Sequence, residues 1–84
     1  MSASAAERIR ALIDSAHRQS AADGRALDLN AVYLTVLMRC GICREDASRL
    51  LADNDQDPIR SILHFAGDAH NFAVLAVQEA LAAA

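Results

Sequence analysis

The sequence predicts an all-α fold, a small bundle of about five short helices. Three observations carry this. Apolar residues recur at three- and four-residue spacing, cap and stop residues punctuate the chain at short intervals, and β-branched residues are too sparse for a sheet. Eighty-four residues suggest a single helical domain, 1–84, whose core is small relative to its surface. Apolar residues reach 54%, but much of that is Ala, and Tyr33, Phe65 and Phe72 are the only aromatics. Such a chain is expected to be modestly stable or to gain burial by self-association.

The first helix is expected over 5–22. Ser4 and Glu7 form a capping-box pattern, and Ile9, Leu12, Ile13 and Ala16 follow at helical spacing until Asp23-Gly24 stops the run. Asp28 suits the N-cap of a second helix over 29–40, in which Leu29, Val32, Tyr33, Val36, Leu37 and Cys40 make a core stripe that Leu34 and Met38 widen. Gly41 ends it, with Ile42 folding back as the apolar contact of a Schellman ending.

A third helix is expected over 44–53, with Glu45 and Asp46 in its first turn and Ala47, Leu50 and Leu51 facing inward. Asp57-Pro58 reads as N-cap and N1 of a fourth helix over 58–66, with Ile59, Ile62, Leu63 and Phe65 on its apolar side and Gly67 after it. Asp68 is expected to cap a fifth helix over 69–82. Its run Phe72-Ala-Val-Leu-Ala-Val77 is apolar around the whole cylinder, which in so short a chain points to a covering partner. A second copy is the simplest such partner, with Phe72, Val74, Leu75 and Val77 contributing to the contact.

Charge and motifs exclude several function classes. All eight basic residues are scattered Arg, and the net charge is −3, so a cationic face that displaces DNA counterions is not expected. A helix-turn-helix over Leu34–Leu51 would place Glu45, Asp46 and Asp53 beside Arg44 and Arg49. No stretch is long or apolar enough to span a membrane. The opening MSASAAERIR lacks the pattern of a secretory signal, so a cytoplasmic location and reduced thiols are expected.

The chain has no hydrolase motif or phosphate loop, nor the D-S-L turn of a carrier protein, since Ser61 lies in PIRSIL. Asp53, Asp55 and Asp57 stand at positions 1, 3 and 5 of a calcium loop, but Pro58 replaces its Gly and His64 its bidentate Glu. No enzymatic activity and no cofactor are expected.

Cys40-Gly41-Ile42-Cys43 is the one chemically suggestive stretch. A redox C-x-x-C places its attacking thiol at a helix N-terminus, whereas Cys40 ends a helix and only Cys43 nears the start of the next. Zinc would need two further ligands, of which His64 and His70 are the candidates and His17 lies further away. Their spacing departs from a Cys2His2 finger. A thiol- or zinc-dependent switch is the alternative these residues leave open, and a DNA-binding regulator is a further one.

From Leu37 to Phe65 the chain resembles a ubiquitin-associated (UBA-like) three-helix domain. Cys40-Gly41-Ile42 takes the place of the family's M-G-F turn, and Ala47, Leu50 and Leu51 take its A-x-x-A-L positions. Asp53-Asn54-Asp55-Gln56-Asp57 forms the polar connection, while Ser61, Ile62 and Phe65 take the core positions of the last helix. Cys40 and Ile42 are smaller than the Met and Phe they replace, and Pro58 stands where an apolar residue is common. The resemblance implies protein binding through Cys40, Gly41, Ile42 and the end of the last helix near Phe65, without extending to ubiquitin as the ligand. A non-enzymatic interaction or regulatory module, self-associating through its last helix, is the expected function.

Overall fold

The computed structural model describes residues 3–53 and 55–84; Met1, Ser2 and the Asn54 of the polar connection lie outside the described residues. The chain folds as α1 (Ala5–Ala22), α2 (Leu29–Arg39), α3 (Arg44–Ala52), α4 (Pro58–Ala66) and α5 (His70–Ala83), with no strand among the described residues. The all-α bundle expected from the helical spacing is therefore the observed architecture.

Side-chain caps start three of the helices. Ser4 Oγ accepts from the Glu7 amide at 3.2 Å, Asp28 from the Ala31 amide at 3.2 Å, and Asp57 from the Ile59 amide at 3.1 Å. Each satisfies one of the amides a helix start leaves without a partner. The fifth start differs from expectation: Ala69, not Asp68, stands at the N-cap, and no side chain caps it. Gly67, at φ 60 and ψ −122, occupies the first central position of a type II′ turn closed by the Ala69 amide on the Ala66 carbonyl at 3.0 Å. Asp68 is consumed by that turn, so the helix begins beyond it.

Helix α4, nine residues long, packs against all four other helices. Its Ile59 and Ile62 are buried, and they meet a core built from Ile9 and Ile13 of α1, Val32, Val36 and Leu37 of α2, and Ala47 of α3. Helix α5 closes the other side against α1, α2 and α4. Exposed polar contacts join the same helices. Arg8 donates to Asn71 at 3.2 Å, Arg10 pairs with Asp57 at 3.4 Å, and Arg39 pairs with Glu79. In water such pairs add little, so apolar burial holds the bundle.

The α5 result corrects the expected docking residues. Val74 and Val77 are 6% and 0% exposed and belong to the chain's own core, together with Ala73, Ala76 and Ala80. A helix apolar all round carries no sequence signal for which side faces inward. Small Ala side chains let α5 approach its neighbours closely, and the bulky Phe72 and Leu75 are left outward at 47% and 51% exposure. Met38, expected in the α2 stripe, is also outward.

This orientation of α5 gives a direct contrast. Ile62→Ala removes a fully buried side chain and should lower stability by about 2–5 kcal/mol. Leu75→Ala should change it by no more than about 0.5 kcal/mol, the range for surface positions, when both are measured at concentrations dilute enough for a single chain. Urea denaturation of both variants checks the contrast, and equal losses would mean that Leu75 is a core residue.

Candidate functional site

The most distinctive local structure lies where α2 gives way to α3. The Ile42 amide donates to the Leu37 carbonyl at 3.3 Å, and the Gly41 amide to the Met38 carbonyl at 3.1 Å. These are the two bonds of a Schellman ending, with Cys40 as C-cap and Gly41 at φ 96. A side chain at Gly41 would meet nothing within 4 Å, so only the backbone conformation demands glycine there. The Leu37 side chain is fully buried. The carbonyl that receives Ile42 is thus fixed by the core, and half-buried Ile42 packs back against that core.

Cys43 follows in extended backbone as the N-cap of α3, its side chain making no cap bond and remaining exposed. Asp46 and Leu50 of α3 follow Cys43 at i+3 and i+7, which sets them along one side of the helix, and Asp53 stands beyond them as its C-cap. The last turn of α4 supplies Phe65, 44% exposed, with the His64 ring edge-on at 5.2 Å. These pieces enclose one open groove of about 840 Å³. Cys40, Gly41, Ile42, Leu50 and Phe65 form its apolar lining, and Cys43, Asp46, Arg49 and Asp53 its polar lining. Leu50 and Phe65 also border a neighbouring depression that His64 lines with Ser61, Gln56 and Arg60.

Of the expected partner-binding residues, Cys40, Gly41, Ile42 and Phe65 come together here. Phe72 and Leu75 do not line this groove, and Val74 and Val77 are interior. Leu50, expected to face inward, is only half-buried and serves the groove. Its spacing from Cys43 and Asp46 was the available signal.

The thiols differ in chemistry. Burial pushes the Cys40 thiol up from its ordinary value, which keeps it protonated rather than as the thiolate that attacks or binds metal. His64 and His70 do not line the groove that holds the two thiols. Among the described residues, no group of three His, Cys, Asp or Glu converges to hold a metal ion. The zinc set of Cys40, Cys43, His64 and His70 is therefore not assembled in this fold, because α4 and the start of α5 carry the two imidazoles elsewhere.

On α3, Arg49 is engaged by Glu45 at 2.7 Å and Asp46 at 3.6 Å. Tyr33, half-buried beneath α4, has its phenol pushed up by burial and then by the Asp57 carboxylate. No described helix is long and apolar enough to cross a membrane.

No protein-family model, curated protein or solved structure matches the chain. The groove's own geometry therefore carries the functional reading.

Two outcomes follow from this geometry. Gly41→Ala should lower stability by about 1–2 kcal/mol through its positive φ alone, read by urea denaturation; an unchanged midpoint would contradict the Schellman ending. In the single-thiol variants Cys40→Ser and Cys43→Ser, alkylation should be faster at the exposed Cys43 and should reach Cys40 only at more alkaline pH. Equal rates and pH profiles would contradict the burial of Cys40.

Proposed function

We propose that the chain is a non-catalytic protein-interaction module that grips an apolar segment of a partner protein in the groove between the α2–α3 turn and the end of α4. One observation carries this reading. Three sequence-distant pieces, Cys40-Gly41-Ile42, Leu50 and Phe65, line a single open groove, where an exposed aromatic beside apolar lining suits a docking site. The mutual packing of α2, α3 and α4 supports a UBA-like reading of residues 37–65, in which the corresponding turn and the last helix grip partners.

Partner chemistry follows from the lining. Arg49 already faces Glu45 and Asp46, and the Asp53 carboxylate, which accepts from the Asp55 amide at 3.0 Å, adds the negative charge that favours a cation. The best-fitting segment is an amphipathic helix with an apolar anchor and an Arg or Lys beside it. A second reading, a thiol-dependent switch, is favoured by the placement of both cysteines along the same groove. Modification of the exposed Cys43 would then occlude the partner.

A photo-crosslinking residue placed at position 42 tests the reading. The wild-type surface should capture a discrete protein from the host. Affinity for that protein should fall by roughly tenfold or more in Phe65→Ser and stay unchanged in Leu75→Asp. Equal affinity in wild type and Phe65→Ser would contradict the assignment of the groove.

A further inference from the structure

A second surface, away from the groove, points to a different partner. Helices α2 and α5 run antiparallel: Ala31 and Thr35 border the same small depression as Ala80 and Ala83, while Arg39 further along pairs with Glu79. On α5, Phe72, Leu75 and Glu79 stand at i, i+3 and i+7, a single stripe. On α2, Ala31, Thr35 and Met38 stand at i, i+4 and i+7, and all are exposed. The Arg39–Glu79 pair ties the two stripes into one face, which holds three of the chain's exposed large apolar side chains, Met38, Phe72 and Leu75.

Polar side chains of this face are already engaged. The Thr35 hydroxyl donates to the Ala31 carbonyl at 2.9 Å, and Arg39 is paired with Glu79. Covering such a face carries a reduced penalty for burying polar surface, since the hydroxyl and one guanidinium N–H keep their partners. The face is also neutral, although the whole chain carries −3. Two copies repel elsewhere but can approach here.

We propose that the α2/α5 seam is a homodimer interface, joined to the same seam of a second copy about a two-fold axis. An isologous contact needs a self-complementary surface, and this one carries a cation on α2 and an anion on α5. The two-fold brings Glu79 of each copy toward Arg39 of the other, while Phe72, Leu75 and Met38 meet at the centre. The proposal is independent of the groove reading, since Phe72, Leu75 and Met38 do not line the groove.

Sedimentation equilibrium of the full chain tests it. The wild type should show concentration-dependent mass rising toward twice the 9.0 kDa of one chain. Leu75→Asp and Phe72→Ser should each weaken the dimer by roughly tenfold or more, with unchanged helical circular dichroism. Arg39→Glu and Glu79→Arg should each dimerise more weakly alone, because like charges then meet, and more tightly when mixed. A wild type that stays monomeric at every concentration would overturn the proposal. So would a dimer indifferent to both apolar substitutions, a mixture no tighter than its components, or a dimer dissolved by Ile42→Asp but not by Leu75→Asp. A monomer that instead binds a different host protein through Leu75 also overturns it.

Discussion

The backbone of Leu37 is the constraint on which the rest of this structure depends. Its side chain is fully buried, and its carbonyl accepts from both the Cys40 amide at 3.1 Å and the Ile42 amide at 3.3 Å. Core packing and chain reversal are therefore coupled at one residue. If Leu37 stays in the core, Gly41 must take its positive φ, Ile42 must fold back, and Cys43 must emerge where α3 begins. That fixes the direction of α3 and the side along which Leu50 and Asp46 run. Phe65 then closes the groove from α4, a helix whose Ile59 and Ile62 are anchored in the same core. The groove is in this sense a consequence of packing rather than a separate loop structure.

Most of the fold was legible because the chain is heavily punctuated. The spans 5–22 and 58–66 agree with α1 and α4 residue for residue, α2 and α3 each end one residue earlier than expected, and α5 is shifted by one residue at both ends. Cap chemistry is local, so Ser4, Asp28 and Asp57 could be read without tertiary information. Asp68 could not, because its role depends on the turn Gly67 makes. The Schellman ending at Gly41 was legible for the same local reason, and with it half of the groove.

What was not legible lies where tertiary packing decides between equivalent sides. Helix α5 is apolar in every direction, so periodicity has no phase there. The fold buried Val74 and Val77 and left Phe72 and Leu75 outside because the Ala-bearing side permits the closest approach. Met38 and Leu50 were misjudged by the same kind of tie, each sitting at the edge of an apolar stripe on a short helix. The two cysteines illustrate the converse. Their spacing suggested chemistry, yet the three-dimensional arrangement separates a half-buried thiol held protonated from an exposed one.

The α2 ending is a fixed element of the core rather than a loop. Amide hydrogen exchange followed by NMR reads this directly at Ile42, whose N–H has its partner only if the turn is formed. The Ile42 amide should exchange nearly as slowly as the amides inside α2, such as Val36. Exchange of Ile42 at the rate of an unprotected loop amide, with Val36 still protected, would contradict it.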